Sequence, residues 1–321
     1  MMNNISLIIT VLNEGDGLRP LLDSLTFQTL PPHEIVVTDG GSTDNTVAIL
    51  QEYQAYLPIR VIRTPGANIS EGRNRAIEAA LGAIIVATDA GVVLSPAWVE
   101  AITRPIRQAN AHVVSGWFEP DPYTDFEVVM GATVLPSRGE IDPDKFLPSS
   151  RSVAFRKTAW EAVGGYPEWL DFSEDLIFDL NLRERYGAFP FASKAVVYFR
   201  PRGNMRAYAK QYYLYARGDG KADLWRKRHA IRYAVYLMGL PILLLAIAKN
   251  RLAGWLLLLL GGMAYCFRPL VRLHEATTNW KLLTRAWAFA LVPVIRFVGD
   301  VAKMLGYPAG VLWRLRSKQH K

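Results

Sequence analysis

Four acidic positions punctuate the first 180 residues, and three of them close an apolar run. Residues 7–12 end on Asn13-Glu14, residues 35–38 on Asp39, and residues 84–88 on Asp89; Glu174-Asp175 is the fourth. Short apolar runs that alternate with helical segments imply an α/β domain with a mostly parallel sheet. In such sheets ligands collect outside the carboxyl ends of the strands. Carboxylates there, where a dinucleotide binder places glycines, suit a site that holds a metal and sugar hydroxyls.

Strands are expected at 6–11, 34–38, 59–63, 83–88 and 112–116. Helices are expected after Ser42-Thr43, after Ser95-Pro96 (a cap followed by proline at the first helical position), from Gly72 to Leu81, at 157–163 and at 174–186. Residues 119–150 are rich in Asp, Pro, Gly and Ser with weak periodicity, and are expected to form an active-site loop.

The charge is sharply divided. Residues 1–200 hold 16 Lys and Arg against 25 Asp and Glu, whereas residues 201–321 hold 21 against 4. In the second region the cations bracket two runs of sixteen uncharged residues, 233–248 and 252–267, separated by Lys249-Asn250-Arg251. A nucleic-acid surface would interleave cations with polar and aromatic residues on a soluble fold. Bracketed apolar runs point instead to a membrane hairpin over 233–267 with cationic flanks on the cytoplasmic side. Each run is about 24 Å long as a helix, short of a hydrocarbon core of about 30 Å, so tilt or flanking residues must extend it. A buried hairpin in a soluble domain is the alternative. The segment 287–313 carries Arg296, Asp300 and Lys303 and is expected to be a third membrane element or an interfacial amphipathic helix. The expected organisation is a catalytic domain over 1–225 and a membrane region over 226–321. The single cysteine, Cys266, excludes a disulfide framework, and five scattered histidines give no zinc spacing. The start of the chain has no basic leader segment, so the catalytic half is expected in the cytoplasm.

Taken in order, Asn13-Glu14, the turn Asp39-Gly40-Gly41-Ser42, Thr88-Asp89-Ala90-Gly91 and Glu174-Asp175 resemble the inverting family 2 glycosyltransferases of GT-A fold, over roughly residues 5–220. The resemblance implies a GT-A type nucleotide-sugar-binding domain. It implies that Asn13 and Glu14 border the nucleotide pocket, that Asp39 recognises the base, that Asp89 touches a divalent ion (Mg2+ or Mn2+) or the ribose, and that Asp175, beside Glu174, is the base. Gly91 stands where the family places the second acid of Asp-x-Asp, which puts the metal's ligand set in question. Arg73, near a helix start, suits the donor diphosphate, and Arg217 suits the leaving diphosphate. The Gln-x-x-Arg-Trp pattern of processive synthases is broken at Gln211-Tyr212-Tyr213-Leu214-Tyr215. Ser150-Arg151-Ser152 and Phe155-Arg156 line an acceptor pocket or form an edge strand with solvated arginines.

Each residue also has a plainer reading. Asp39 is a turn aspartate, Arg73 a solvated helix residue, Asp89 a turn cap, and Glu174-Asp175 a helix N-terminal charge pair. The implied partners are a nucleotide-sugar donor, a lipid-linked or glycan acceptor and membrane lipid, without nucleic acid. Three other readings stay open: a polyprenyl-phosphate glycosyltransferase, a membrane-anchored oxidoreductase (against which Gly15-Asp16-Gly17-Leu18 lacks the third glycine), and a non-catalytic scaffold.

Overall fold

A computed structural model describes residues 4–317; positions 1–3 and 318–321, His320 among them, lie outside the described residues. The chain forms two compact units, one of residues up to Asp121 with Glu140–Arg200, the other of Pro122–Gly139 with Pro201 onward.

The first unit is built on one eight-stranded sheet. Its strands are β1 (Ile5–Val11), β2 (Glu34–Asp39), β3 (Ile59–Arg63), β4 (Ile84–Ala87), β5 (Val92–Leu94), β6 (Val113–Pro120), β7 (Val153–Arg156) and β8 (Phe191–Phe199), in the spatial order β3-β2-β1-β4-β7-β6-β8-β5. The half from β3 to β4 is parallel; β7 runs antiparallel to both β4 and β6, β8 runs parallel to β6, and β5 antiparallel to β8. The sheet is therefore mixed, with the parallel part where the sequence places it. Helices cover both faces, which is why the central strands are continuously apolar. Side chains alternate between two cores with period two. Ile5, Leu7, Ile9, Ile35, Val37, Ile84 and Val86 face α1 (Arg19–Thr26), α2 (Thr46–Tyr53) and α4 (Trp98–Ala109). Ile8, Val36, Ile85 and Ala87 face α3 (Ile69–Ala79), α6 (Lys157–Ala162) and α7 (Glu174–Tyr186).

Three strands escaped the sequence pattern. Two of them, β5 and β7, are only three and four residues long. The position of β7 also corrects the edge-strand alternative: it lies between β4 and β6, and Arg156 is not solvated but donates to the carbonyls of Ile106 and Ala111.

The second unit is helical. Within the expected loop 119–150 lies a helix, α5 (Asp125–Val134), capped by Thr124, whose hydroxyl accepts the Glu127 N–H. Its apolar residues run consecutively rather than at helical spacing, so the periodicity concealed it. The others are α8 (Met205–Lys221), α9 (Arg226–Ala234), which a π-turn at Val235–Gly239 joins to α10 (Leu240–Lys249), then α11 (Arg251–Ala276) and α12 (Leu282–Arg316). Pro241, at the start of α10, cannot donate a backbone bond, which accounts for the π-turn before it. The helices Arg226–Lys249 and Arg251–Ala276 are 24 and 26 residues long and apolar enough to cross a membrane. At 1.5 Å per residue they reach about 36 and 39 Å, because the flanking cationic segments continue the helices. Large side chains such as Leu244, Leu245, Trp255, Leu257 and Leu260 are exposed along them.

The segment after Trp280 is one 35-residue helix packed along α8. Close approach is permitted by glycine: a Cβ at Gly310 would stand 2.7 Å from the Lys221 amide nitrogen, and one at Gly220 would stand 2.9 Å from that of Val311. Gly310→Ala is expected to lower stability by about 1–3 kcal/mol. Gly261→Ala, where nothing lies within 4 Å, should be neutral or gain up to about 1 kcal/mol. Thermal unfolding in detergent checks the pair, and equal effects would refute the close-packing account.

Candidate active site

Strand order reverses between β1 and β4, because β2 and β3 continue on one side of β1 and β4 starts the other. Their carboxyl ends therefore flank the crevice in which an open α/β sheet holds ligands. Asn13-Glu14 follows β1 and Asp89 follows β4.

A buried cation organises the site. Arg73, in the second turn of α3, is only 4 % exposed. It donates from one terminal nitrogen to Glu174 Oε1 at 2.7 Å and from the other to Asp89 Oδ1 at 3.0 Å. Its guanidinium also lies 5.3 Å from the centroid of the Tyr166 ring. The solvated reading of Arg73 is thereby excluded, since both terminal nitrogens of its guanidinium are engaged by carboxylates. Asp89 meets a second cation, since Arg151 Nε stands 3.3 Å from its Oδ2 while packing 4.1 Å over the Phe199 ring. Arg151 was read from the sequence only as a general acceptor-side residue. Nothing local announces its partner, 62 positions away.

Backbone strain sets the carboxylates in place. Asn13 and Ser173 both adopt left-handed conformations, with φ of 54° and 65°, a conformation uncommon for non-glycine residues. Asn13 is tied down as its side-chain oxygen accepts the Thr43 N–H at 2.9 Å and its own N–H donates to Ser42 Oγ at 2.9 Å. Ser173 turns the chain into α7 so that Glu174 and Asp175 open its first turn. Behind it, Asn74 accepts from the Tyr166 N–H and Trp160 Nε1 and donates to the Tyr166 carbonyl. At Gly165, φ is +74° and a Cβ would come within 2.9 Å of Asn74 Oδ1, so the turn leading to α7 requires glycine there.

The carboxylates influence one another. Burial, with Asp89 and Asp44 nearby, raises the proton affinity of Glu14. Burial and the neighbouring Asp175 push Glu174 up to about 7 against the pull of Arg73. Asp175, half-buried with Oδ1 accepting the Leu176 N–H at 2.8 Å, is also raised, mainly by burial, with Arg73 opposing and Asp89 adding. One turn further, Asp179 is fully buried and neither oxygen has a hydrogen-bond partner. Burial, then Asp175, hold it well above the usual carboxylate range. The sequence offered a signal for it in the i, i+4 spacing from Asp175.

Asp39 lies elsewhere in the unit. It is fully buried and its carboxylate accepts the Ser42 N–H at 3.0 Å, with Arg63 at 3.6 Å. Asn13 and Asp39 thus grip the same Ser42 turn, one through its hydroxyl and the other through its amide. Arg217 belongs to α8 of the second unit, where its backbone carbonyl lines the close contact at Gly310.

No group of three or more metal-ligating side chains occurs among the described residues. Asp89 nevertheless suits a hard cation that takes its other ligands from phosphate and water. It is part-exposed, and a Cβ at Gly91 would meet nothing within 4 Å, so there is space beside it.

Solved proteins share this fold. The mannosyltransferase PcManGT from Pyrobaculum calidifontis, in complex with GDP-Man and Mn2+, superposes with a TM-score of 0.59 at 18% identity, covering 99% of this chain and 89% of its own. S. aureus TarS 1-349 in complex with UDP-GlcNAc gives 0.51 at 18% identity, covering 99% and 93%. The mixed α/β unit is accordingly of GT-A type. Residues 6–153 match the model of glycosyl transferase family 2. The uncharacterized glycosyltransferase YibD of Escherichia coli (strain K12) is 37% identical over 101 residues, 31% of this chain and 29% of its own length. Glycosyltransferase AglE of Haloferax volcanii is 24% identical over 246 residues, 74% of this chain and 80% of its own.

An acid whose proton affinity rises on folding stabilises the fold fully below its unfolded pKa, and that contribution is lost as pH rises through the folded value. Asp179→Asn is therefore expected to exceed the wild type in stability at neutral pH by about 1–3 kcal/mol, with the gap closing toward about pH 4. Parallel melting curves across that range would show that Asp179 is not a buried neutral acid.

Proposed function

We propose that this chain is a membrane-associated glycosyltransferase that moves one sugar from a nucleoside-diphosphate sugar to a lipid-linked or cell-envelope glycan acceptor, by an inverting single displacement. The observation that carries the reading is the gathering of Glu174 and Asp89 on buried Arg73, with Asp175 alongside, at the strand-order switch of a family 2 segment. On this reading the catalytic domain spans 1–225 and faces the cytoplasm, and 226–321 is the membrane region. The long apolar helices support the second statement, and the cationic flanks Arg226-Lys227-Arg228 support the orientation.

In the proposed step the acceptor hydroxyl oxygen attacks the anomeric carbon and its proton passes to an Asp175 oxygen. The bond from that carbon to the diphosphate oxygen breaks, and its electron pair leaves with the nucleoside diphosphate. A base needs a proton affinity close to the working pH, and the burial of Asp175 moves it in that direction. Glu174 and Arg73 position Asp175; neither meets the sugar. Asp89 would hold the divalent cation, which supplies positive charge to the donor's diphosphate when bound. Arg151 adds positive charge for the leaving group. Asn13, Glu14 and Asp39 shape the nucleotide pocket, the first and last through the Ser42 turn. A polyprenyl phosphate as direct acceptor is the alternative within this class.

Asp175→Asn is expected to lower transfer about 100- to 10,000-fold while leaving donor-induced thermal stabilisation in place. A panel of nucleotide sugars with and without manganese checks both, and wild-type turnover by the variant would refute Asp175 as base. Gly91→Asp, entering open space, is expected to lower the manganese concentration needed for half-maximal activity. An unchanged metal requirement would remove Asp89 from the metal site.

A further inference from the structure

The second unit holds a charged cluster that the proposed transfer does not use. Asp300 on α12 accepts from Arg232 Nε at 2.8 Å, from the Tyr265 hydroxyl at 2.5 Å and from the Tyr236 hydroxyl at 3.2 Å. Asp219 on α8 is engaged by His229 at 3.2 Å. Both nearby carboxylates therefore have partners.

Two cations of the same cluster do not have a carboxylate. Among the described residues, Arg296 and Lys303 make no ion pair within 4.0 Å. Each rests on an aromatic face instead: the Arg296 guanidinium stands 4.0 Å from the Tyr265 ring centroid, and Lys303 Nζ 4.5 Å from that of Tyr212. The Arg296 Nε is buried with no hydrogen-bond partner. Stacking on a ring holds a cation in place without occupying the N–H groups at its edge.

The cluster's depth follows from its sequence positions. Arg232 directly precedes the apolar run 233–248 and Tyr265 lies near the end of the run 252–267. In a hairpin those two ends share one side of the membrane, at the level where tyrosines and cations meet headgroups. Arg296 and Lys303 are seven residues, two turns, apart, so they share one face of α12 with their backbones separated by about 10.5 Å along it.

We propose that Arg296 and Lys303 form an anion site for the phosphate or diphosphate headgroup of a membrane lipid. The proposal rests on the membrane reading of 226–276 but not on the catalytic role of Asp175. Headgroup oxygens would accept the Arg296 Nε–H, which now lacks an acceptor, and the Lys303 ammonium N–H groups, and Asp300 would fix the site by holding Arg232, Tyr236 and Tyr265 around it.

The test uses the full chain in detergent, titrated with farnesyl diphosphate, farnesyl phosphate, farnesol and inorganic diphosphate, with thermal stabilisation and equilibrium binding as readouts. Saturable binding of the two phosphorylated lipids and none of farnesol is expected. Arg296→Gln and Lys303→Gln should each weaken binding about tenfold or more, Lys303→Arg should restore most of it, and Asp175→Asn should bind as the wild type does. Unliganded melting of each variant close to the wild type establishes that it folds. Competition by phosphatidylcholine vesicles only when they contain phosphatidylglycerol would assign the site to bulk anionic lipid, a supporting result. Inorganic diphosphate binding as tightly as farnesyl diphosphate would overturn the lipid assignment. Undiminished binding in both glutamine variants would overturn the site. Loss of transfer in Asp175→Asn with lipid binding intact separates this inference from the proposed reaction.

Discussion

The candidate site depends on one buried guanidinium. Taking an unpaired cation out of water is prohibitive, and a buried ion pair persists only with good geometry and satisfied donors. Arg73 meets that demand by joining three segments far apart in sequence: α3, the turn after β4 through Asp89, and the start of α7 through Glu174. The side chain that gathers the acids is thus also the one that requires them. Its field opposes the burial that raises the proton affinity of Glu174 and Asp175. Asp179, one turn below and without a hydrogen-bond partner, shows what burial with acidic neighbours does to a carboxylate in this helix.

Most of the parallel half of the sheet was legible because β1, β2 and β4 are buried on both faces and read as continuous apolar runs. The acids at their ends were legible for the same reason: each ends such a run. Glu174–Tyr186 matches the expected helix at both ends. What escaped were elements with little local signal: β5 and β7, too short for periodicity; β8, whose pattern is irregular at the β6 bulge; and α5, apolar on consecutive positions. The sequence singled out Arg73, Asp89 and Glu174, but not that they contact one another. Whether Arg73 faces solvent, a diphosphate or Glu174 is decided by a contact spanning 101 positions, and no motif encodes it. Asp39 illustrates the converse, since its turn reading holds: it accepts the Ser42 N–H, and Asn13 grips the same residue.

The second unit follows different rules. Glycines at 220, 306 and 310 let α12 and α8 approach to backbone contact, while α10 and α11 expose leucines along most of their length. Polar groups concentrate where the helices enter and leave the apolar runs, around Asp300. The acid-rich first 200 residues and the cation-rich remainder are what the proposed pair of environments, a polar sugar site and a lipid surface, would require.

The central claim is that Arg73 and Glu174 act as a unit, and a double-mutant cycle on Arg73→Met and Glu174→Gln, read by unfolding in detergent, tests it most directly. The account predicts that the double variant is more stable than Arg73→Met alone, because the orphaned buried carboxylate is gone, with a coupling energy of about 1.5–3 kcal/mol. Losses that simply add would contradict it and leave Arg73 an ordinary helix residue.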